Sequence, residues 1–238
     1  LIVSQYFWPE NFRINELAEE LIKNGHNVTI LTGLPNYPEG EIFEEYRENK
    51  LNFSIYKGIK IIRVPIFPRK KGRINLIINY LSFLISGTFY VLLKLRKKKF
   101  DFVLTFQLSP ITSAIPSIFY SLMNKSVHIL WVLDLWPETL IDLGILKNKF
   151  KIRFFRIFVN WIYRRSDIIL AQSKSFVENI KNSIPYKKNI YYFPSWGESN
   201  LFSNDIEPSD EIKPSDKFTI LFAGNIGEAQ DFKSVVKA

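Results

Sequence analysis

The chain has no cysteine in its 238 residues and only two histidines, His26 and His128. The missing thiols exclude disulfide bonds and thiolate metal sites. Neither histidine has a second metal-binding side chain at a useful spacing, so we expect both to be structural. There is also no Asp-x-Asp pair and no Gly-x-Ser-x-Gly turn. The sequence therefore predicts no metal-bridged diphosphate site, no serine nucleophile and no bound cofactor.

Apolar and basic side chains are abundant instead. Hydrophobic residues make up 47% of the chain and aromatic residues 16%, enough for a packed core. The formal net charge of +9 indicates an acidic partner, which could be nucleic acid, an anionic membrane surface or a phosphorylated substrate. No nucleic-acid-binding motif accompanies the charge, so we do not predict nucleic acid as the partner.

One apolar segment, 74–93, is long enough to cross a bilayer. Basic residues precede it at Arg69, Lys70 and Lys71 and follow it at 94–99, whereas a spanning helix usually has its Lys/Arg excess on one side. Uncharged polar residues recur along one helical stripe, namely Asn75, Asn79, Ser82, Ser86 and Tyr90. We therefore predict a helix that is buried or lies in a membrane interface, with a true span as the alternative.

A second segment, 149–165, combines basic and aromatic residues at helical spacing. Its basic residues are Lys149, Arg153, Arg156 and Arg164, and its large aromatic residues are Phe150, Phe154, Phe158 and Trp161. This pattern is typical of an interfacial membrane anchor. The alternative is an ordinary surface helix whose aromatic face lies in the core. The anchor interpretation places the protein in the cytoplasm, peripherally on the inner face of the plasma membrane, with Arg69, Lys70, Lys71, Arg153 and Arg156 on the membrane side.

The order of apolar segments predicts an α/β fold. A strand at 1–4, a helix at 14–24 ended by Gly25 and a strand at 28–32 make a βαβ unit, which implies a parallel, Rossmann-like sheet with ligands at its carboxyl edge. The remaining predicted segments are a loop at 33–50, strands at 53–56, 59–64, 102–106, 127–133, 168–171 and 190–193, and helices at 111–123 and 174–183.

The chain also divides into unequal parts. We assign 1–203 to the first domain and 204–217, with two prolines and five acidic residues, to a linker. Residues 218–238 then begin a second Rossmann-like domain with a buried strand from 219, a glycine turn and a helix. The sequence thus predicts a fragment of a two-domain protein.

Two places in this scheme carry candidate chemistry. Asp134 follows the apolar run 129–133 at a strand end, where a carboxylate can transfer a proton or hold a substrate hydroxyl, and Glu138 lies one short turn later. The alternative is that Asp134 caps the following helix. The turn at Gly224 and Gly227 can receive a diphosphate through backbone N–H groups and the helix dipole.

Six blocks in order resemble the retaining GT-B glycosyltransferases of family four, in the bacterial surface-polysaccharide branch that includes L-fucosamine and colanic-acid transferases. They are Tyr-Phe-Trp-Pro-Glu-Asn at 6–11, Arg-Ile-Asn-Glu-Leu-Ala at 13–18, Asn-Gly-His-Asn-Val at 24–28, Pro-Asn-Tyr-Pro-Glu-Gly at 35–40, Asp-Leu-Trp-Pro-Glu at 134–138 and Gly-Asn-Ile-Gly-Glu-Ala-Gln at 224–230. They cover nearly the whole chain.

The resemblance implies two facing domains and a metal-independent, retaining transfer of a hexosyl or N-acetylaminosugar group. The donor is a UDP- or GDP-sugar, and the acceptor is a sugar on a polyprenyl diphosphate, in O-antigen, capsule or exopolysaccharide synthesis. It implies acceptor-binding roles for Asn11, Arg13, Tyr37 and Trp136, catalytic roles for Asp134 and Glu138, and donor-binding roles for Gly224, Asn225, Gly227 and Gln230.

The chain departs from the wider family at several of these positions. Phe12-Arg13 replaces a Gly-Gly pair, Asp134 stands where the family has an acceptor-side histidine, and Asn225 and Gln230 stand near its phosphate-binding Arg and Lys. A nucleotide-sugar 2-epimerase of the same fold is the enzymatic alternative, and a non-catalytic, membrane-docked acceptor-binding module is the other. We expect residues 1–238 alone to be inactive as a transferase.

Overall fold

The computed structural model describes residues 1–186, 189–197, 220–224 and 231–237. Within them one sheet has the strand order β3-β4-β2-β1-β5-β6-β7-β8. Its strands are β1 (Ile2–Val3), β2 (Thr29–Thr32), β3 (Ile55–Tyr56), β4 (Ile59–Arg63), β5 (Phe102–Gln107), β6 (Val127–Val132), β7 (Ile168–Ala171) and β8 (Ile190–Tyr192). β3 pairs antiparallel to β4, and the other neighbours pair parallel. The predicted Rossmann-like parallel sheet is confirmed.

Helices cover both faces of this sheet. They are α1 (Arg13–Lys23), α2 (Glu44–Glu48), α3 (Arg73–Tyr90), α4 (Ile115–Asn124), α5 (Glu138–Asp142), α6 (Lys149–Arg165), α7 (Lys174–Ser183) and α8 (Phe232–Lys237). α1 buries Ile14 and Ala18 on one face, against alternate strand residues such as Ile2 and Ile30. α3, α4, α6 and α7 pack on the other face, where the intervening strand residues point.

The first βαβ unit forms as its sequence predicts. The apolar residues of α1 recur at helical spacing and face the sheet. Gly25 has a φ of 83°, the left-handed conformation in which glycine commonly ends a helix. The chain turns there into β2, which pairs parallel with β1. This unit fixes the direction of every later parallel strand.

Three local predictions match the structure only in part. The predicted loop 33–50 contains the short helix α2, and the predicted strand 53–56 is a 3₁₀ turn at Lys50–Phe53 followed by the two-residue β3. The helix predicted at 111–123 begins as a 3₁₀ turn at Ile111–Ala114, and Pro116 lies in the first turn of the α-helix proper. The short α5 was not predicted, since five residues carry too little periodicity.

The predicted start of a second domain is only partly described. The linker 204–217 lies outside the described residues. Ile220, Leu221 and Phe222 are exposed and belong to no strand, so the buried strand predicted there is not observed among the described residues. No described residue after Ile220 joins the eight-stranded sheet, which runs from β3 to β8. The eight strands therefore form one sheet without any described residue after Ile220.

Candidate functional site

The candidate site lies at the carboxyl edge of the sheet, where an open parallel sheet presents its ligand-binding loops. The loops after β1, β2, β5 and β6 each contain one cis X–Pro peptide, at Trp8–Pro9, Tyr37–Pro38, Ser109–Pro110 and Trp136–Pro137. These four loops supply most of the side chains described below.

Asp134, just after β6, is held by two hydroxyl groups. Ser109 Oγ donates to its Oδ2, and Thr139 Oγ1 donates to its Oδ1 at 3.0 Å. Trp136 Nε1 donates in turn to Ser109 Oγ at 3.0 Å, which fixes the serine. Each carboxylate oxygen has lone pairs beyond these bonds, so the half-buried carboxylate can still accept a hydrogen bond from a ligand.

Asp134 does not cap α5. The N-cap position of that helix is Pro137, with no side-chain cap hydrogen bond. The hydroxyl that joins Asp134 to the helix belongs to Thr139, which donates rather than accepts. The alternative in which Asp134 caps the following helix is therefore wrong for α5.

Glu138 faces a different neighbour. Its Oε1 lies 3.4 Å from Nε of Arg156 on α6, and its side chain is mostly buried. The hydrogen bonds of Asp134 go to Ser109 and Thr139 instead. The two carboxylates predicted as a pair thus have separate partners, and Glu138 ties α5 to α6.

Three aromatic rings form a cluster in the loops at the same sheet edge as Asp134. The ring of Tyr6 stacks on Phe12 with centroids 5.4 Å apart, and Tyr37 contacts Tyr6 at 5.4 Å and Phe12 at 5.3 Å. The Arg69 guanidinium lies 5.4 Å from the Tyr37 centroid, a cation–π distance. We call Tyr6, Phe12 and Tyr37 the aromatic platform.

Charges connect the platform to Asp134. Burial raises the pKa of Tyr80 on α3, the nearby Arg69 charge opposes that rise, and Asp134 and Tyr37 add to it. Burial also raises the pKa of Tyr6 well above its usual range, with Arg69 again opposing. Arg69 and Asp134 therefore both act on the phenol of Tyr80, with opposite effects on its pKa.

A buried carboxylate, Glu10, holds the loops of the platform together. Its Oε1 accepts hydrogen bonds from the backbone N–H groups of Asn36 at 2.9 Å and Tyr37 at 2.8 Å, and its Oε2 accepts one from Phe7 at 3.2 Å. Burial raises its pKa to about 7, while these three bonds and the charge of Arg63 pull it down. Glu10 thus fixes Tyr37 relative to the loop after β1.

Arg63 supports the same loops from below. Its guanidinium donates to the carbonyl of Trp8 and, at 3.1 Å, to that of Gly33. Burial lowers its pKa to about 10, so it remains charged at neutral pH. The loops after β1 and β2 are therefore fastened by one buried carboxyl group and one half-buried guanidinium.

A cavity of about 350 Å³ adjoins the platform on the α1 side. Its lining includes two of the predicted acceptor residues, Asn11 and Arg13, together with Phe12, Leu133, Gln172 and other residues at strand ends. Arg13 pairs with Glu16 at 2.6 Å. Phe12 therefore contributes to both the cavity and the platform.

The residues predicted on the membrane side separate into two groups. Lys70, Lys71 and Arg153 are exposed, and Arg156 is exposed while pairing with Glu138. Arg69 is half-buried, and its backbone N–H donates to Asn36 Oδ1 at 2.8 Å. Arg69 therefore lies in the site, whereas the other four lie on the surface.

The histidines lie far from this network in the fold. His26 is exposed in the α1–β2 turn, and His128 is buried on β6 with its Nε2 3.0 Å from Thr105 Oγ1. In the part of the chain that the structure describes, no group of three or more His, Asp or Glu side chains could hold a metal ion.

Of the predicted donor-binding residues, Gly224 alone is described, and it is exposed. Asn225, Gly227 and Gln230 lie outside the described residues. The side chains described above therefore belong to the acceptor side of the predicted site.

Sequence reasoning did not assign roles to Ser109, Thr139, Tyr80 or Glu10. Ser109 could have been found, because it follows β5 and the carboxyl ends of neighbouring parallel strands meet at one edge. Glu10 stands inside the Trp-Pro-Glu block, but its partners are 26 and 27 residues away. Tyr80 gave no signal within an apolar helix.

Comparisons with known proteins agree with this architecture. Residues 11–196, well over half of the chain, match the family described as "Glycosyl transferase 4-like domain". One relative comes from Escherichia coli (strain K12) and is named as a colanic acid biosynthesis glycosyl transferase, WcaI. It is 22% identical over an alignment of 241 positions, gaps included, which covers 94% of this chain. The chain spans 56% of that relative's length. With a parallel Rossmann-like sheet and a polar, aromatic-lined carboxyl edge, the chain belongs to the glycosyl transferase 4-like domain family, within the GT-B group of family four.

Proposed function

We propose that this chain is the acceptor-binding half of a retaining glycosyltransferase that elongates a surface polysaccharide on a lipid carrier. The donor is a nucleoside-diphosphate sugar, and the acceptor is a sugar linked to a polyprenyl diphosphate. The observation that carries the proposal is the arrangement around Asp134, with its two hydroxyl donors on one side and the aromatic platform with Arg69 nearby.

Each part of this arrangement suits a part of such an acceptor. An aromatic ring such as that of Tyr37 offers an apolar surface to the face of a sugar ring. The Asp134 carboxylate can accept a hydrogen bond from an acceptor hydroxyl next to the reacting one. Arg69 and the exposed Lys70 and Lys71 form a basic loop beside the platform, which suits the diphosphate of the carrier.

In the reaction we propose, the acceptor hydroxyl oxygen bonds to the anomeric carbon on the face from which the leaving group departs. The bond from that carbon to the phosphate oxygen breaks, and the hydroxyl proton passes to the departing nucleoside diphosphate. Asp134 orients the acceptor sugar by accepting a hydrogen bond from a hydroxyl next to the reacting one, and it stabilises the positive charge that develops at the anomeric carbon. Ser109 and Thr139 keep the carboxylate in that orientation.

The test is an assay of the whole protein with a panel of UDP- and GDP-sugars and a lipid-diphosphate-sugar acceptor. We expect one donor to be consumed only when acceptor is present, with the sugar appearing on the lipid. Conversion of a nucleotide-sugar without acceptor would instead favour the 2-epimerase. Acceptor binding without turnover of any donor would favour the non-catalytic module. We expect residues 1–238 on their own to bind acceptor without transferring sugar.

A further inference from the structure

The helix α3 is turned the opposite way from an ordinary surface helix. Its polar residue Asn79 is fully buried, accepts a hydrogen bond from Gln5 Nε2 at 2.6 Å and donates to the Phe67 carbonyl at 2.5 Å. Ser82 Oγ accepts from the Phe67 N–H at 2.9 Å. A surface helix normally keeps such residues outside and its apolar residues inside.

The outward side of α3 is correspondingly apolar. Seven large apolar residues along the helix and its π-helical extension at Val91–Leu95 are exposed, and Ile74 has 74% of its surface accessible. These residues are Ile74, Ile77, Ile78, Leu81, Ile85, Phe89 and Leu93. The stretch Arg73–Leu95 is the one described helix that is long and apolar enough to cross a membrane.

Two neighbouring helices continue this surface. α4 contacts both α3 and α6 on the same face of the sheet. It exposes Phe119, Leu122 and Met123, while α6 exposes Phe150, Phe154, Ile157 and Trp161. Phe150 has 85% of its surface accessible, so the aromatic side of α6 does not lie in the core as the alternative required. We call the exposed apolar residues of α3, α4 and α6 the outer layer. A contiguous apolar surface of this kind marks a binding surface.

The charges on the three helices of the outer layer have one sign. The helical stretches 73–95, 115–124 and 149–165 contain no Asp or Glu at all. Exposed basic residues surround the outer layer, namely Lys70, Lys71, Arg73, Lys94, Arg96, Lys97, Lys98, Lys99, Lys125, Lys149, Lys151, Arg153, Arg164 and Arg165. Two copies of this chain that met through the outer layer would bring these like charges together, which disfavours such a dimer.

We propose that the outer layer docks on an anionic lipid bilayer, with α3 and α6 lying in the plane of the interface. Apolar side chains enter the boundary between headgroups and acyl chains, and the basic side chains bind lipid phosphates, as in other amphipathic interfacial helices. The inference goes beyond sugar transfer, because docking needs neither donor nor acceptor.

The packing of α3 against the sheet decides between lying in the interface and spanning the bilayer. Phe83, Val91 and Leu95 are buried in a core cluster with strand residues such as Val3 and Val103. To span, α3 would leave the sheet, expose this cluster and break the hydrogen bonds of Asn79. An in-plane helix keeps all of these contacts and covers the outward side as well.

Docking in this orientation also positions the site. Tyr80, which feels the charges of Arg69 and Asp134, lies on α3 next to the outward residue Leu81. The basic loop of Arg69, Lys70 and Lys71 leads directly into the same helix, which begins at Arg73. A docked α3 therefore holds the carboxyl edge of the sheet at the level of the lipid headgroups, where a carrier diphosphate lies.

The first experiment measures co-sedimentation of the chain with vesicles of phosphatidylcholine alone or mixed with phosphatidylglycerol. We expect binding to the anionic vesicles and a loss of about tenfold or more in partitioning for Leu81→Ser, because its burial in the bilayer is lost. Arg153→Glu should weaken binding to anionic vesicles by about tenfold or more. The matched controls are Leu51→Ser and Arg47→Glu, which alter exposed residues on other elements and should bind like the unaltered chain.

The second experiment measures depth and uses the absence of cysteine. Single variants Ile77→Cys, Ile85→Cys and Leu93→Cys each carry one environment-sensitive fluorophore, with Leu51→Cys as the control. An in-plane helix gives similar, shallow quenching depths at the three α3 positions and none at residue 51. A spanning helix gives a deep value at residue 85 and shallow values at the two ends.

Three results would overturn the proposal. The first is the absence of binding to anionic vesicles, and the second is binding that Leu81→Ser and Arg153→Glu leave unchanged. The third is a dimer, seen by sedimentation equilibrium, that Leu81→Ser dissociates, since the outer layer would then be covered by a second copy. A depth profile with its maximum at residue 85 would contradict the in-plane orientation. Vesicle binding is measured without substrates, so its failure is distinguishable from failure of the proposed transfer reaction.

Discussion

Tyr37 donates its backbone N–H to Glu10 Oε1 at 2.8 Å, across 27 residues of sequence. The bond joins the loop after β2 to the loop after β1. It thereby positions the Tyr37 ring against Phe12 and Tyr6. A single buried carboxylate thus positions a ring that we propose to contact the acceptor sugar.

The raised pKa of Glu10 predicts a pH-dependent stability. Its pKa is about 7 in the folded chain against a reference value of 4.5, so the folded state binds this proton more tightly than the unfolded state. Between pH 4.5 and 7 the free energy of unfolding should therefore fall as pH rises, by up to ~3 kcal/mol from this group. Glu10→Gln should flatten that dependence in urea denaturation at pH 5.5 and 8. The exposed Glu48→Gln is the control, and equal pH slopes in all three proteins would contradict the assignment.

Replacing Asp134 should reduce turnover more than binding. Asp134→Asn keeps the shape of the side chain, but it replaces one acceptor oxygen with an NH2 donor and removes the negative charge beside the developing cation. We expect kcat of the whole protein to fall by about 10²-fold or more with a smaller change in the acceptor KM. Asp142→Asn, an exposed carboxylate at the end of α5, should change neither value. A normal kcat for Asp134→Asn would remove Asp134 from the reaction.

Tyr37 should act on acceptor binding through its ring. Tyr37→Ala removes the ring from the platform and its contact with Arg69, so we expect the acceptor KM to rise by about tenfold, in line with ~1–2 kcal/mol for a lost stacking contact. Tyr37→Phe retains the ring and should remain within about threefold of the unaltered protein. An unchanged donor KM in both variants separates this effect from misfolding. Equal acceptor KM values for Ala and Phe would show that the ring is not used.

The hydrogen bonds of Asn79 predict a loss of stability when they are removed. Asn79→Leu leaves Gln5 Nε2 without this partner in a buried position and frees the Phe67 carbonyl. We expect a cost of about 2 kcal/mol and a drop of several degrees in Tm, followed by circular dichroism. Asn75→Leu, one turn earlier and bonded only to the Lys71 carbonyl, should cost much less. Similar Tm values for both variants would mean that Asn79 does not anchor α3.

Much of the fold follows from local pattern. The helical spacing of Ile14 and Ala18 and the position of Gly25 predict the first βαβ unit, and Asp134 is placed at the sheet edge simply because it ends an apolar strand. Parallel strands bring their carboxyl ends together, so the general location of the site needs no long-range information.

Other features depend on contacts that no local pattern reveals. Arg69 reads as one member of a basic run, but the contact of its guanidinium with Tyr37 takes it into the site. Glu10 and Tyr37 meet only after two loops have folded. The polar stripe of α3 predicts an amphipathic helix but not which side faces the sheet, because both orientations satisfy the same periodicity. Buried hydrogen-bond partners for Asn79 decide the orientation.

The packing of α3 against α4 and the sheet determines which substitutions each side of α3 can tolerate. At Gly87 a Cβ atom would come within 3.1 Å of Pro116 Cγ, so even alanine crowds that position. Asn79 lies eight residues earlier, about 12 Å along the helix. An apolar residue at that position would lose the hydrogen bonds of Asn79. Large apolar residues, by contrast, can replace one another freely at Ile77, Leu81 or Ile85. A saturation library of α3 should therefore show the reverse of the usual pattern. Small and polar residues should be required on the side that packs on the sheet, where soluble helices usually have leucine. Apolar residues should be favoured on the outward side, where soluble helices usually have lysine.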